Sequence, residues 1–204
     1  MTQTCEKYVY AGANISSCKR YRYGLWREWR LGADGGEAQW DMWTDEFGKP
    51  VVDGEGKQLG DPLSCVFIML NPSTADGTED DPTIRRCVGF AKSLGYDRLE
   101  VVNLFAFRAT DPRALLALNH EDDPVGIGNE KAVERALDHA DLIICAWGAH
   151  GGHLGQDQTM LGWIDRHNYR DAPVAALGLT KEGHPRHPLY LPGHSTPIPF
   201  GGTP

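Results

Sequence analysis

The sequence lacks any apolar stretch long enough to cross a membrane, which argues against a membrane-spanning helix. Residues 1–7 contain no hydrophobic segment of the kind that a signal peptide needs, so we expect a cytoplasmic protein. No CxxC pair occurs among the five cysteines, and their odd number does not suit a disulfide framework. We therefore expect reduced thiols, and the scatter of the cysteines also argues against an iron–sulfur cluster.

Three common cofactor and catalytic motifs are also missing: the nucleophile elbow, the phosphate loop and a complete dinucleotide fingerprint. Two HxxH spacings occur, His150 with His153 and His184 with His187, and such pairs could offer imidazole ligands to zinc. Both lie in loops rich in glycine or proline with no cysteine pair nearby, which favours histidines that form hydrogen bonds. We therefore expect neither a metal nor another cofactor.

Positive charge is in short supply, since the formal net charge is −8. This balance argues against indiscriminate binding to nucleic acid, because Lys and Arg supply most of the non-specific affinity for phosphates. Basic residues nevertheless crowd into residues 19–30 and 181–187. A local anion-binding face and a mixed, solvated surface both remain open as interpretations.

The apolar run of residues 65–70 predicts a buried parallel strand, because it is apolar on both faces and too short for a stable helix. Further strands are predicted at residues 99–105, 142–147 and 174–178, and an antiparallel strand at 21–30. Helices are predicted from the Asp81-Pro82 cap to Gly95, from Asp111-Pro112, over 130–137 and over 160–167. This spacing predicts a three-layer α/β/α sandwich with a central, mainly parallel four-stranded sheet.

A single domain is expected over residues 1–204, since the chain is 41% hydrophobic and can bury a sizeable core. Residues 1–60 form a strand and hairpin extension in this interpretation, with a second strand marked by Trp40 and Trp43 and a turn at Asp53-Gly54. Residues 63–192 form the α/β core, and residues 193–204 form a tail.

The carboxyl ends of the four parallel strands should meet at one edge, where open α/β sheets bind ligands. Pro72 stiffens the backbone beyond the first strand, so that Asn71 could hold a water molecule or a polar ligand there. Asp81 is interpreted as a helix cap, whereas Asp76 could reach the site as an alternative base. The candidate residues at this edge are Asn71, Ser73, Asn103, Phe105, Phe107, Arg108, Trp147, His150 and the loop of residues 183–190.

Hydrolysis of a glycosidic bond without a metal suits such a set of side chains. It needs a positioned water molecule and stabilisation of the charge on the leaving group. Asn71 could do the first and a loop histidine the second. Asn103 could bind the edge of a base through its paired donor and acceptor atoms, and Phe105, Phe107 or Trp147 could stack on that base.

The order of the short motifs resembles the uracil-DNA glycosylase superfamily, especially its mismatch-specific and thermophilic branches. Met-Leu-Asn-Pro-Ser at residues 69–73 is similar to the Gly-Ile-Asn-Pro-Gly motif, and Val-Asn-Leu at 102–104 to the strand-Asn motif. Trp-Gly-Ala at residues 147–149 follows in the same order, and His-Pro-Leu-Tyr at 187–190 is similar to the His-Pro-Ser segment. The resemblance implies the uracil-DNA glycosylase-like fold over residues 63–192.

The same resemblance implies roles for individual residues. Asn71 would position the attacking water, Asn103 would recognise the base, and His187 would stabilise the departing base. Arg186 would lie on the loop that enters the duplex, and His184 offers a competing register for the same motif. The implied binding set is Ser73, Asn103, Phe105, Arg108, Trp147, His184, Arg186 and Tyr190, and Ser73 replaces the usual glycine in a way that could alter access to the base.

A closer resemblance links the chain to an uncharacterised bacterial and phage domain family, DUF1643. It is carried by Met-Leu-Asn-Pro-Ser-Thr-Ala-Asp at 69–76, Asn-Leu-Phe-Ala at 103–106, Arg-Ala-Thr-Asp-Pro at 108–112 and Pro-Arg-His-Pro-Leu-Tyr-Leu at 185–191. This resemblance implies a family and no particular substrate.

Taken together, the sequence predicts a metal-free, monofunctional glycosylase that removes a damaged or modified base from DNA and leaves an abasic site. The expected partner is DNA with a flipped base, or a nucleotide, with no membrane involved, and the protein is expected to be a monomer. Two alternatives stay open: a hydrolase of free nucleosides or nucleotides, and a non-catalytic module that binds nucleic acid or nucleotides.

Overall fold

The computed structural model describes residue 8, residues 10–29 and residues 62–201. The second strand expected near Trp40 and Trp43 and the turn expected at Asp53-Gly54 lie outside these residues. In the described ranges, no helix has both the length and the apolar character that are needed to span a bilayer.

The strands of the described ranges are β1 (Tyr10–Ile15), β2 (Arg22–Glu28), β3 (Ser64–Met69), β4 (Arg98–Asn103), β5 (Leu142–Cys145), β6 (Val174–Ala176) and β7 (Ile198–Pro199). The α-helices there are α1 (Pro82–Ser93), α2 (Pro112–Leu116), α3 (Asn129–Asp138) and α4 (Gln156–His167). Short 3₁₀ turns cover His120–Asp122, His153–Gly155 and Pro188–Tyr190. β1 and β7 were not predicted from the sequence.

These strands form one mixed sheet in the order β1-β2-β4-β3-β5-β6-β7. The four neighbouring strands β4, β3, β5 and β6 pair in parallel. β1 pairs antiparallel with β2, β2 with β4, and β7 with β6. The α/β class is therefore confirmed, whereas the predicted four-stranded sheet is corrected to a seven-stranded mixed sheet, because antiparallel strands extend it on both sides.

The central strand β3 is buried along its whole length, as its apolar sequence predicts. Cys65, Phe67 and Met69 belong to one core cluster together with the buried residues of α1. Val66 and Ile68 belong to a second cluster, which contains the buried residues of α3 and α4. Because successive side chains of a strand point to opposite faces, α1 covers one face of the sheet and α3 and α4 cover the other.

Helix α1 begins where the sequence predicts it to begin. The Asp81 side chain accepts a hydrogen bond from the amide of Ile84 at 2.9 Å, and Pro82 takes the first helical position. The cap fixes the direction in which the amino end of α1 points, and this end reaches the carboxyl edge of the parallel strands.

The strand order contains a topological switch point between β3 and β5. The chain leaves β3 for β4 on one side, and leaves β5 for β6 on the other side. Loops that depart in opposite directions leave a crevice between the carboxyl ends of the two strands, and open α/β sheets bind ligands in such crevices. The topology alone therefore places a candidate site beyond β3 and β5.

The antiparallel strand β2 is fastened to the loop before α1 by the side chain of Arg27, which is 0% exposed. Its Nε donates to Asp80 at 2.8 Å, and Nη2 donates to the carbonyl of Asp76 at 2.7 Å and that of Glu79 at 3.4 Å. Nη1 donates to the carbonyls of Trp26 at 2.8 Å and Gly12 at 3.3 Å. One guanidinium thus joins three segments of backbone.

We expect Arg27→Met to lower the free energy of unfolding by about 3 kcal/mol, because it removes one partner of a buried ion pair and the donor of four carbonyl groups. Urea unfolding followed by circular dichroism measures this loss. Arg166→Met serves as the control, since Arg166 is 57% exposed and its ion pair with Glu130 lies at the surface. That control should change the free energy of unfolding by less than about 1 kcal/mol. An equally small loss for Arg27→Met would contradict the assigned role.

Candidate active site at the carboxyl edge of the parallel strands

A cleft of about 740 Å³ opens at the switch point. Its walls come from the segments that follow β3 and β5, the ends of β4 and β2, the amino end of α1, and the loop of residues 180–190. Eight of the residues named individually as candidates line it: Asn71, Ser73, Asn103, Trp147, His150, Arg186, His187 and Tyr190. Five others do not: Asp76, Phe105, Phe107, Arg108 and His184.

Asn71 is held by the backbone that follows β4. Its Nδ2 donates to the carbonyl of Ala109 at 2.9 Å, that of Pro72 at 3.2 Å and that of Phe107 at 3.5 Å. Three carbonyl acceptors fix which end of the carboxamide is the nitrogen. Within the described residues Oδ1 accepts no hydrogen bond, so Asn71 presents a fixed acceptor at the cleft.

Asn103, the last residue of β4, is 1% exposed and lines the same cleft. Neither Nδ2 nor Oδ1 of its side chain has a hydrogen-bond partner in the described part of the chain. The backbone at this point is secured from the other face, since Nδ2 of the buried Asn129 donates to the carbonyls of Asn103 at 2.9 Å and Leu104 at 3.1 Å. A rigid strand end therefore carries a desolvated amide with both hydrogen-bonding atoms unused.

His187 precedes the 3₁₀ turn Pro188–Tyr190 and is half-buried. The amide of Leu189 donates to Nδ1 at 3.3 Å, so the neutral ring carries its hydrogen on Nε2. Burial lowers the pKa of His187 below its usual range, and the nearby carboxylate of Asp81 offsets only part of that effect. At neutral pH the residue is therefore an uncharged imidazole with an N–H donor.

The loop that carries His187 is held in place by three sets of hydrogen bonds. The amide of Arg186 donates to the carbonyl of Gly178 at 2.8 Å, and the amide of Gly148 donates to that of Pro185 at 2.8 Å. Arg86 on α1 donates to the carbonyls of Pro188 and Leu191. The loop is thus tied both to the segment after β5 and to α1.

Trp147 follows β5 and is 2% exposed, with its ring edge-on to Phe200 at a centroid distance of 5.6 Å. Gly151 packs so closely on the indole that a Cβ there would lie 2.1 Å from Cδ1 of Trp147. Only glycine fits this position without moving the ring. Trp147 is one of the residues that line the cleft, and its indole also belongs to the core cluster on the side of α3 and α4.

Arg186 and Tyr190 lie at the mouth of the cleft, and both are exposed. Nη2 of Arg186 donates to the backbone carbonyl of Tyr190 at 3.0 Å, which holds the guanidinium against that turn. The ring of Tyr190 also lies near that of His187, at a centroid distance of 5.7 Å. These side chains form a charged and aromatic rim.

Asp76 and Phe105 are directed elsewhere. Oδ1 of Asp76 accepts hydrogen bonds from the amides of Thr78 and Glu79, both at 2.9 Å, and these bonds lower the pKa of Asp76. The carboxylate therefore stabilises its own loop and is a weak base. Phe105 is 0% exposed and packs in the core cluster on the face of α3 and α4, with its ring 5.5 Å from that of His153.

Arg108 and His184 also lie outside the cleft. Nη1 of Arg108 is 3.5 Å from the carbonyl of Lys19, and the amide of Arg108 donates to the carbonyl of Arg20 at 2.9 Å. Arg108 therefore joins the loop after β4 to the segment before β2. The amide of His184 donates to Oγ1 of Thr180 at 3.2 Å, within the turn that leads to Arg186. Of the two possible histidine registers, the structure brings His187 to the cleft.

The two HxxH pairs are not metal clusters in the structure. His150 lines the cleft, whereas Nε2 of His153 lies 3.1 Å from the carbonyl of Leu118. Across residues 8, 10–29 and 62–201, no group of three or more His, Cys, Asp or Glu side chains could hold a metal ion.

Two cleft residues were missed as site residues from the sequence: Arg22 and Asp81. Asp81 was predicted to cap α1, and it also reaches the cleft because that helix points its amino end there. The amide of Arg22 donates to the carbonyl of Ala106 at 2.9 Å, which places Arg22 beside the segment that follows β4. Side chains alternate between the two faces of β2, so the sequence places Arg22 on the face opposite to Tyr21 and Tyr23. Which of these faces meets the cleft depends on the pairing of β2 with β4, which is far away in the sequence.

Comparison with known proteins gives a family and no described activity. No curated protein and no solved structure matches the chain. One family model matches residues 55–189, and this segment contains Asn71, Asn103, Trp147 and His187. The uncharacterised family expected from the short motifs is confirmed: the chain belongs to the family described as "Protein of unknown function (DUF1643)".

Proposed function

We propose that the protein is a DNA glycosylase-like enzyme that hydrolyses the N-glycosidic bond of a damaged or modified nucleobase. The observation that carries this proposal is the side chain of Asn103, a buried carboxamide at a strand end whose donor and acceptor both lack partners within the described residues. Its chemistry and position suit the edge of a base.

A buried polar atom without a partner costs about 1–3 kcal/mol, and Asn103 has two such atoms. A ligand that offers an acceptor beside a donor would satisfy both at once, as the edges of nucleobases do. A nucleotide flipped out of a duplex would bring such an edge into the cleft, beside the indole of Trp147.

Asn71 supports the hydrolytic half of the proposal. Because its Nδ2 is held by backbone carbonyls, its Oδ1 can accept a hydrogen bond from a water molecule without reorganising. A water held there would attack C1′ of the sugar from the side opposite the departing base. This is the role implied by the resemblance to the uracil-DNA glycosylase superfamily, and the proposal extends that resemblance to the protein's fold and chemistry.

His187 would stabilise the leaving group. As the C1′–N bond breaks, its electron pair moves onto the base, and negative charge collects on the base's ring and carbonyl oxygen. The Nε2–H of a neutral His187 can donate to that oxygen, while the water oxygen bonds to C1′ and releases a proton to solvent. Asp81, the carboxylate of the cleft wall, can stabilise the positive charge on the sugar.

The free-nucleotide alternative has one observation in its favour, the formal net charge of −8. A strongly acidic chain repels the many phosphates of DNA more than the one or two phosphates of a small ligand. Salt dependence separates these functions, because turnover on duplex DNA should fall steeply as salt rises, whereas turnover of a free nucleotide should change only slightly.

The first test is incubation with duplexes and single strands that carry uracil, hypoxanthine, alkylated bases or phage-type modified bases, followed by detection of abasic sites. We expect release of at least one base. Asn71→Ala should lower kcat on that substrate by about 100-fold or more, because the water is no longer positioned. Asn103→Ala should lower kcat/KM by about 10-fold to 100-fold, through lost contacts with the base.

Asn14→Ala is the matched control for both variants, because Asn14 is exposed on the edge strand β1 and does not line the cleft. It should leave both kinetic constants unchanged. If the folded wild-type protein left every base in place, the glycosylase proposal would be wrong, and saturable binding without turnover would identify a binding module.

The pH dependence of kcat/KM tests the role of His187. The proposal requires the neutral ring, so kcat/KM should be level near neutral pH and should fall in acid, with a midpoint below the usual value of 6.5. His187→Gln should remove this acidic limb and lower the rate by about 100-fold. A rate that instead rises as pH falls through this region would show that His187 acts as a protonated acid.

Two controls accompany that profile. His184→Gln should leave it unchanged, because His184 lies outside the cleft. The folded state holds His187 with a lowered pKa, so the unfolded state binds more protons just below pH 6.5, and stability falls as pH falls through that window. Circular dichroism at each pH separates a loss of folded protein from a loss of activity.

A further inference from the structure

The side chain of Arg22 is the least well-satisfied charge in the cleft. Arg22 is 2% exposed, and its Nη1 donates to the carbonyl of Ala75 at 2.8 Å. Its Nε is buried without a partner, and no carboxylate among the described residues lies within salt-bridge distance of the guanidinium. The remaining donors of a buried cation are therefore unused.

The same strand shows that this chain can satisfy a buried guanidinium completely. Arg27, five residues along β2, has all three of its nitrogens bonded to backbone carbonyls and to the carboxylate of Asp80. Arg22 has one such bond. Burial lowers the pKa of Arg22 to about 10, so it still carries its charge at neutral pH.

Nε of Arg98 and Nε of Arg108 are also unpaired in the described ranges, but Arg98 has the carboxylate of Glu100 as a partner and Arg108 lies outside the cleft. Arg22 combines a place in the cleft wall, nearly complete burial and the lack of a carboxylate partner among the described residues, so an anion in the cleft would supply what it lacks.

The surroundings of Arg22 suit an anion. The cleft wall includes the amino end of the twelve-residue helix α1, through Pro82, Thr83 and Ile84. Helix amino ends attract anions through their free amides and the helix dipole. Of these three residues, Thr83 has the free amide, because Pro82 has no amide hydrogen and the amide of Ile84 donates to Asp81. The charged groups of the wall are two guanidiniums, Arg22 and Arg186, and one carboxylate, Asp81, whose Oδ1 is already engaged with the amide of Ile84.

We propose that Arg22 and the amino end of α1 form a phosphate subsite in the cleft. The substrate would therefore be bound by a phosphate group as well as by its base. This inference rests on the proposed function for the identity of the base-bearing ligand, and it adds the second recognition element. A phosphate of this kind could be the monoester of a free nucleotide or a diester of a DNA strand, and the experiment below distinguishes them.

The first measurement uses the wild-type protein and inorganic phosphate. Two-dimensional ¹H–¹⁵N spectra should show saturable shifts of the Thr83 amide and of the Nε–H of Arg22 as phosphate is added. The Nε–H of Arg27 is the internal control, because it already donates to Asp80 and should not move. Absence of saturable shifts at Thr83 and Arg22 would overturn the proposal, and shifts spread over exposed Lys and Arg residues would show an adventitious ion only.

The second measurement compares variants by titration calorimetry with phosphate. Arg22→Gln should weaken binding by about tenfold or more, because charge-assisted hydrogen bonds are lost, and Arg22→Lys should lose less. Arg166→Gln is the matched control, since its guanidinium pairs with Glu130 at the surface and should leave binding unchanged. Equal affinity in Arg22→Gln and wild type would overturn the proposal. Thermal unfolding checks that each variant is folded. If Arg22→Gln does not fold, the phosphate titration of the wild-type spectra tests the proposal by itself.

Competition then identifies the source of the phosphate. Displacement of inorganic phosphate by 2-deoxyribose 5-phosphate supports a monoester subsite, and displacement by an oligonucleotide without terminal phosphates supports a diester subsite. Displacement by neither would overturn the proposal. The phosphate measurements do not depend on base release, so the two proposals can fail separately. Phosphate binding by a protein that excises no base would refute the proposed function alone. Excision by Arg22→Gln at the wild-type rate would refute the phosphate subsite alone.

Discussion

The site depends on the parallel pairing of β3 with both of its neighbours. Met69 is in register with Asn103, and Ile68 is in register with Cys145, so the three strands end at the same level. The next polar and aromatic side chains, Asn71 and Trp147, then necessarily share one edge with Asn103. A slip of one residue in the pairing of β3 with β4 would turn Asn103 toward the opposite face of the sheet, and the cleft would lose the buried amide.

The cleft keeps three buried polar atoms without a partner among the described residues, although such atoms also occur elsewhere, for example at Arg98 and Gln156. Backbone carbonyls hold Nδ2 of Asn71, and backbone carbonyls together with the carboxylate of Asp80 bind the three nitrogens of Arg27. Both side-chain atoms of Asn103 and the Nε of Arg22 are nevertheless unpaired among the described residues. Each unpaired atom lowers the stability of the unliganded fold. A ligand that pairs with them recovers this free energy as affinity, and it does so at positions that no rotamer change needs to prepare.

Much of the central sheet and of helix α1 can be predicted from the sequence, because the patterns that predict them are local. The apolar run of β3 and the Asp81-Pro82 cap of α1 predict their elements directly, and Asn71 and Asn103 stand out as polar residues at strand ends. Phe105 was placed wrongly at the cleft because the pleat of β4 does not continue past its end, and tertiary packing decides its face. The edge strands and the position of Arg22 depend on pairing between residues far apart in sequence, which no local pattern encodes.

The residues that line the cleft come from two parts of the chain, the segment that the family model matches and the strand β2 that precedes it. Residues 55–189, which the family model matches, supply Asn71, Asn103, Trp147 and His187. Arg22 comes from outside that segment, on the antiparallel strand β2. The proposed base recognition and bond cleavage would thus use residues of the matched segment, whereas the proposed phosphate subsite would add a cation from β2, which lines the same cleft as the amino end of α1. In a chain of net charge −8, a buried cation at the cleft acts only over short distances, so in this proposal it would select the ligand after entry rather than attract nucleic acid from afar.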